Sequence, residues 1–292
     1  MHPLDTTDLF AGLAALDLKG AEVDFGDGIT LRSTHARFLT PLTLANTSKT
    51  ASGAIRPSFW QLSHREHAIS AELVIPRAEG QTFKDRAETA RFLVMLIRLW
   101  SDPAVILNVL SSHAFSTLCD LPDSDRPILI PVEIQPRSFQ LGILEPDSVV
   151  QSLDWVREHW RAASQLYIES TEFRMAADSL DAGQYVPNHA LTLVSLWGAL
   201  EAIFSPSTTE LKFRVSSNIA AYLEPPGQER LALQKRVASL YDMRSAAAHG
   251  KPRHASEDLL SSFELVRSVL VQCIYERKVP TKQDLEHKLF GA

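Results

Sequence analysis

The sequence predicts an α+β fold, in which a mixed, strand-rich N-terminal domain precedes an all-α helical bundle. Short apolar segments bounded by turn residues dominate the first half of the chain, whereas apolar residues recur at helical spacing in the second half. A chain of 292 residues is long enough for two domains of ordinary size. We therefore predict a mixed domain over residues 1–150, whose role the sequence does not indicate, and a helical bundle over residues 151–292.

Local patterns predict the elements of the N-terminal half. The dipeptide Asp27-Gly28 lies between two short alternating segments and predicts a tight β-hairpin. Further strands are expected at residues 71–75 and, at a sheet edge, at residues 130–134. The spacing Asp85-x-x-Glu88 is typical of a capping box and predicts the start of a helix that ends near Trp100.

Helical periodicity predicts a bundle with short connections in the C-terminal half. Its last long helix is expected to begin at the N-cap Ser256, and Thr281-x-x-Asp284 predicts a short tail helix. The four helices expected before these span residues 155–175, 187–204, 210–223 and 230–249.

The charge of the chain limits its partners. The net charge of −6 excludes a broadly basic nucleic-acid surface, and we predict no DNA binding. Residues 151–292 are close to neutral, so any RNA contact must be local. Aromatic residues do not alternate with basic ones as in single-strand stacking platforms, so we expect no such platform.

A cytoplasmic location is expected. Cys119 and Cys273 are too few for a disulfide framework and are expected to be buried thiols in a reducing compartment. Residues 1–10 lack the apolar core of a signal peptide, and no apolar run is long enough to cross a bilayer, so we expect no membrane partner.

No metal or cofactor is predicted. The spacing His64-Arg-Glu-His67 differs from the usual zinc-binding order and has no evident third ligand. Asp120, Asp123 and Asp125 lack the glycine and the distal glutamate of a calcium loop. Gly26-x-Gly28 lies in the predicted hairpin rather than between a strand and a helix, which excludes a dinucleotide site.

The end of the fourth predicted helix contains the strongest candidate for chemistry. Arg244 and His249 stand five positions apart, and Gly250 and Pro252 follow as helix-ending residues. Arginine holds phosphate well, and histidine transfers protons near neutral pH, which together indicate phosphodiester chemistry on RNA. Residues five apart on an ideal helix point about 140° away from each other. The two side chains therefore converge only if the helix end unwinds or a second copy meets the first.

Three segments of the C-terminal half resemble the HEPN superfamily, and its Apea-like branch in particular. They are Ser195-Leu-Trp-Gly-Ala-Leu-Glu-Ala-Ile-Phe204, Glu210-Leu-Lys-Phe-Arg-Val-Ser-Ser-Asn-Ile-Ala220 and Leu240-Tyr-Asp-Met-Arg-Ser-Ala-Ala-Ala-His-Gly250. The resemblance covers about residues 150–280, and residues 1–150 resemble no family that we recognise. It implies a bundle of four or five helices that forms a homodimer. For active members it also implies a metal-independent endoribonuclease, here of a bacterial defence or stress system such as antiviral defence.

The resemblance implies catalytic roles for three residues. Arg244 would bind the scissile phosphate, and His249 would act as general acid or base while the ribose 2′-OH attacks phosphorus, leaving 2′,3′-cyclic phosphate ends. Ser245 occupies the position after the arginine, where many active members have Asn, Asp or His. Ser245 would orient a phosphate oxygen or the arginine.

Two other hypotheses stay open. In the first, the bundle is a non-catalytic HEPN module that binds RNA, a nucleotide or a protein partner; His249 then only caps its helix, and Arg244 pairs with a carboxylate such as Glu201 or Asp242. Ser245 and the near-neutral charge favour this reading. In the second, residues 1–150 are a sensor that controls the bundle.

Overall fold

The structure is a computed structural model that describes residues 3–37, 42–46, 57–61, 68–122, 124–133, 135, 137–138, 149–204, 211–251 and 253–291. It confirms the α+β class, with a strand-rich N-terminal part and a helical C-terminal part. The chain forms two compact units. The first contains residues 1–90 and 105–133, and the second contains residues 91–104 and 134–292. We placed the domain boundary after residue 150, whereas residues 91–104 and 134–150 belong to the second unit.

An antiparallel sheet of six strands, in the order β2-β3-β6-β1-β7-β8, forms the first unit. A separate antiparallel hairpin pairs β4 with β5. The strands are β1 (Leu9–Ala14), β2 (Glu22–Gly26), β3 (Ile29–Ala36), β4 (Leu42–Asn46), β5 (Pro57–Gln61), β6 (Ile69–Ile75), β7 (Ile106–Ser111) and β8 (Leu129–Pro131).

The strand predictions are confirmed. Asp27 and Gly28 both adopt positive φ angles, of 56° and 76°, which suits the two-residue turn between β2 and β3. The predicted strand at 71–75 lies within β6. The strand expected at residues 130–134 is present at the sheet edge as β8, but it spans Leu129–Pro131, and residue 134 lies outside the described residues. On one side of the sheet, a Cβ at Gly12 would lie 2.7 Å from the Phe115 ring, so β1 needs a glycine there.

Helix α1 (Phe83–Trp100) ends where the sequence predicted, but it begins earlier. The capping box that we placed at Asp85-x-x-Glu88 is wrong by one turn. Thr82 donates its backbone N–H to Asp85 Oδ2 at 2.8 Å, and Thr82 Oγ1 accepts the Asp85 backbone N–H at 3.3 Å. Asp85 therefore serves as the third helical residue of the box rather than as its cap.

Helices α2 to α8 form the second unit together with residues 91–104. They are α2 (Val149–Glu169), α3 (Thr171–Gly183), α4 (His189–Phe204), α5 (Leu211–Leu223), α6 (Gln228–Ala248), α7 (Ser256–Glu276) and α8 (Lys282–Phe290). Helices α4, α5, α6 and α8 confirm the predicted segments to within two residues at each start. The Thr281 and Asp284 capping box of α8 is also confirmed.

Three helix boundaries of the second unit differ from prediction. The first is the start of α2, which lies at Val149 rather than at residue 155. The single helix expected over residues 155–175 is two helices, because Ser170 leaves the helical conformation and its Oγ accepts the Phe173 backbone N–H at 3.1 Å. The N-cap of α7 is Ala255 rather than Ser256, and the Asp258 carboxylate accepts the Ala255 backbone N–H at 2.8 Å. In the last two places a side chain three residues into the helix, or at its cap, satisfies a backbone donor.

The two cysteines lie in different environments. Cys273 on α7 is buried, as expected, and burial raises the pKa of its thiol to about 12. The expectation that Cys119 is buried is wrong: Cys119 is exposed, because it lies in a turn that follows a short 3₁₀ helix at Phe115–Thr117.

Candidate functional site

Helix α4 positions the candidate site from the core of the bundle. It packs against α3, α5, α6 and α7, and its apolar residues are buried around most of its circumference. Trp197 is fully buried and donates its indole N–H to Ser262 Oγ on α7 at 3.1 Å. These contacts fix the rotation of α4, and Glu201 follows one helical turn after Trp197 with 20% of its side chain exposed.

Glu201 accepts hydrogen bonds from two side chains of α6. Tyr241 donates its hydroxyl to Oε1 at 2.7 Å, and Arg244 donates from Nη2 to Oε2 at 2.8 Å. The Tyr241 ring meets Trp197 edge-on, with centroids 5.3 Å apart and an interplanar angle of 88°. The Arg244 guanidinium carbon lies 5.5 Å from the Tyr241 ring centroid, within cation–π range. The carboxylate, the phenol and the ring face therefore orient this guanidinium together.

Arg244 keeps donors for a ligand. Its bond to Glu201 is the one hydrogen bond that its side chain makes within the described part of the chain, and 21% of the side chain is exposed. A guanidinium has five N–H donors. The Nε donor is buried and has no partner among the described residues, so any further ligand must bind through the Nη groups.

Tyr241 is a neutral donor over the physiological range. Burial raises the pKa of its hydroxyl to about 12, and the hydrogen bond to Glu201 and the charge of that carboxylate act in the same direction. The positive charge of Arg244 opposes this rise in part. Tyr241 therefore holds Glu201 by a hydrogen bond without adding a charge.

Helix α6 ends in a Schellman motif that places His249 at its C-cap. The Gly250 N–H bonds to the Ala247 carbonyl at 3.1 Å, and the Lys251 N–H bonds to the Ala246 carbonyl at 2.9 Å. Gly250 adopts φ +71°, the left-handed conformation that the sequence predicted. His249 is exposed, and its imidazole has no hydrogen-bond partner among the described residues.

The structure does not bring Arg244 and His249 onto one side of the helix. Helix α6 is continuous to Ala248, so the helix end does not unwind between the two residues, and their directions differ by about 140°. Ser245 lies four positions before His249, on the same face, and it is partly exposed. The site within one chain thus consists of an anchored arginine and, around the helix, a serine and a histidine.

The two carboxylates named as possible partners of Arg244 behave differently. Glu201 binds Arg244, whereas Asp242 binds the Lys212 ammonium at 2.6 Å. Tyr241 was missed by the sequence analysis. Its three-residue spacing to Arg244, which places both side chains on adjacent parts of one helix face, is the pattern that could have found it.

The candidate metal residues gain no support. Within the described ranges, no group of three or more His, Cys, Asp or Glu side chains is arranged to hold a metal ion. His64 and His67 lie outside the described residues, as does Asp123. Of the helices in the described part of the chain, none has the length and apolar composition to cross a membrane.

Comparisons of the chain with family models, with curated proteins and with solved structures found no match. The resemblance to HEPN proteins therefore stays a prediction, supported by the three sequence segments alone.

Proposed function

We propose that the helical unit is a metal-independent endoribonuclease of the HEPN type, acting in a bacterial defence or stress response in the cytoplasm. The observation that favours this function most is the anchored guanidinium of Arg244. Glu201 and the Tyr241 ring orient it from the core side, and its partly exposed Nη groups can donate to a phosphate. A preoriented donor of this kind stabilises charge that develops on phosphate oxygens in the transition state.

The chemistry is an internal transesterification. The ribose 2′-OH loses its proton as its oxygen forms a bond to phosphorus, the bond from phosphorus to the 5′ oxygen breaks, and that oxygen takes up a proton. His249 serves as the base or the acid, because its exposed imidazole is not occupied by a hydrogen bond among the described residues. Arg244 neutralises the non-bridging oxygens. Ser245, on the His249 side of the helix, donates to one of them.

A second copy of the chain completes the site in this proposal. Since Arg244 and His249 diverge on a regular helix, one copy alone cannot place both on a single phosphate. A twofold axis near the end of α6 would set the arginine of one copy beside the histidine of the other.

A non-catalytic RNA-binding or partner-binding module is the second candidate. It is favoured by the ion pair itself, because Glu201 neutralises Arg244 and competes with phosphate for the guanidinium. In this case Arg244 and Glu201 join α6 to α4, and His249 only ends the helix.

Cleavage of a mixed RNA pool by the purified full chain in EDTA tests the proposal. The wild type should yield 2′,3′-cyclic phosphate ends, and His249→Ala should lose this activity. His287→Ala is the matched control, because His287 is also an exposed histidine in the last turn of a helix, and it should cleave like the wild type. Ser245→Asn should cleave faster than the wild type, since it supplies the stronger polar group that many active members carry.

The outcomes separate the two candidates. Undiminished cleavage by His249→Ala would refute the assignment of His249. Absence of cleavage by the wild type, together with RNA binding that depends on Arg244, would favour the binding module.

A further inference from the structure

A groove of about 560 Å³ lies between α5 and α6, and the proposed chemistry does not use it. At its inner side, Gln234 on α6 donates its side-chain amide to Ser216 Oγ on α5 at 3.0 Å, which joins the two helices. The residues that line the groove are Leu211, Lys212, Phe213, Ser216, Gln234 and Ala238.

Phe213 is the unusual residue of this groove. It is 65% exposed, although phenylalanine side chains are mostly buried. Lys212 precedes it, is exposed and also lines the groove. Arg214 follows it and is exposed, but residues two apart on a helix do not face each other, and Arg214 is not among the residues that line the groove. An exposed aromatic ring beside a cation is an arrangement to which single-stranded nucleic acids bind, with a base stacked on the ring and a phosphate at the cation. Our expectation from the sequence that the chain has no stacking platform did not consider this exposed ring.

The surrounding segment is basic in an otherwise acidic chain. Residues 211–254 contain eight Lys and Arg against three Asp and Glu, a net charge of +5, whereas the whole chain carries −6. A local positive segment of this kind attracts the phosphate backbone of a nucleic acid and also acidic polypeptides, whereas it repels cationic partners. The exposed aromatic ring decides between a nucleic acid and an acidic peptide, because the bases offer planar faces to stack on it.

The groove continues towards the candidate site. Gln234, Ala238 and Asp242 lie on one face of α6, and Ser245 and His249 extend the same face to the helix end. From Ala238 to His249 this face runs about 16 Å along the helix axis. An extended strand that follows it leads from the groove to the candidate general acid or base.

We propose that this groove binds single-stranded RNA, with an unpaired base stacked on Phe213 and an adjoining phosphate bound by Lys212. The proposal deepens the proposed function, on which its choice of RNA rests, by naming the form of RNA and the subsite that holds it. Asp242 opposes binding, because its carboxylate occupies the Lys212 ammonium at 2.6 Å. The ammonium has three donors, so Lys212 can bind a phosphate beside this carboxylate.

Fluorescence anisotropy of a labelled short single-stranded RNA tests the groove, with full-length protein in EDTA and in the His249→Ala background so that the strand stays intact. Phe213→Ala should bind about tenfold more weakly, as expected for the loss of one stacked base. Phe213→Trp should keep the wild-type affinity. Phe290→Ala is the matched control, since Phe290 is also an exposed helical phenylalanine, and it should change nothing. Asp242→Asn should tighten binding by releasing Lys212.

Three results would overturn the proposal: absence of RNA binding by the parent protein, equal affinity of Phe213→Ala, or equal affinity for the duplex form of the same strand. Polyglutamate that displaces the RNA at equal charge concentration would assign the groove to acidic polypeptides instead. Binding that depends on Phe213, without any cleavage by the wild type, would support the groove and refute the nuclease. Cleavage that is equally fast with and without the Phe213→Ala substitution would refute RNA binding in the groove, but it would not contradict the proposed nuclease.

Discussion

The Arg244 guanidinium and the Glu201 carboxylate form an ion pair that joins α6 to α4, with Nη2 and Oε2 2.8 Å apart. Both side chains are about one-fifth exposed, so water reaches the pair without separating it. The same contact positions a phosphate-binding group and supplies a competitor for it. Its strength therefore decides how readily Arg244 can bind a phosphate.

We expect this ion pair to contribute little to stability. In a double-mutant cycle of Arg244→Ala and Glu201→Ala, the coupling free energy should be about 1 kcal/mol, because partly exposed pairs are screened by solvent. Urea unfolding of the wild type, both single variants and the double variant measures it. A coupling energy of about 3 kcal/mol or more, the range of buried pairs, would mean that Glu201 locks the guanidinium and would favour the binding module.

Because the pKa of the Tyr241 hydroxyl is raised, we expect the free energy of unfolding to fall as the pH rises through the alkaline range. The pKa of this hydroxyl is raised to about 12 in the folded chain, from an ordinary value of 10.0, so the folded state keeps the proton where the unfolded state has lost it. The stability that the folded state gains by keeping this proton is fully present below about pH 10, and it is lost as the pH rises to about 12. A shift of this size corresponds to about 2 to 3 kcal/mol.

Comparison with Tyr241→Phe isolates that contribution from the other groups that titrate at high pH. At neutral pH the variant should be less stable by about 1 kcal/mol, because Glu201 Oε1 loses its donor. Between pH 10 and 12 the difference should narrow and reverse, since phenylalanine has no proton to lose. Free energies of unfolding from urea titrations at each pH measure this, and a constant difference would contradict it.

Local sequence predicted the elements of the fold where neighbouring residues decide the structure. Gly250 was expected in the left-handed conformation and adopts it, and Asp27-Gly28 forms the expected turn. The break at Ser170 was missed, because apolar periodicity continues across it from Trp155 to Met175. A single serine hydroxyl that bonds to the Phe173 backbone N–H stops the helix without changing that pattern.

The sequence could reduce the candidate partners of Arg244 to a few carboxylates, but it could not identify which of them forms the ion pair. Asp242 is two residues away on the same helix, and residues at that spacing do not face each other, which counts against it. Glu201 is 43 residues away, and its contact with Arg244 depends on how α4 is rotated against α6 by buried residues such as Trp197. No local sequence pattern predicts how α4 is rotated against α6.

Alanine substitutions at two glycines, Gly250 in the Schellman motif that ends α6 and Gly198 in α4, should have opposite effects on the free energy of unfolding. Gly250→Ala should destabilise the chain by about 1 kcal/mol, because φ +71° is unfavourable for any residue with a Cβ. Gly198→Ala, within α4, should stabilise it by about 0.5 to 1 kcal/mol, since alanine favours the helix over glycine. At neither position would a new Cβ meet another atom within 4 Å, so backbone conformation alone accounts for the difference. Urea unfolding of both variants checks this, and a shared sign would contradict it.

Mixing two inactive variants tests whether two copies share one site. Arg244→Ala retains His249, and His249→Ala retains Arg244, so each variant lacks one of the groups that the proposed chemistry needs. If an active site takes its arginine from one copy and its histidine from the other, half of the randomly mixed dimers contain one intact site of two. The mixture should then recover about a quarter of the wild-type activity. If both groups of a site come from the same chain, the mixture stays inactive, because neither variant has both. The divergence of Arg244 and His249 by about 140° on α6 favours the first result.

Refolding the two variants together, beside each variant alone and a mixture that was never unfolded, controls for slow exchange of subunits. An inactive co-refolded mixture, with an active wild type treated in the same way, would contradict a site shared between two copies.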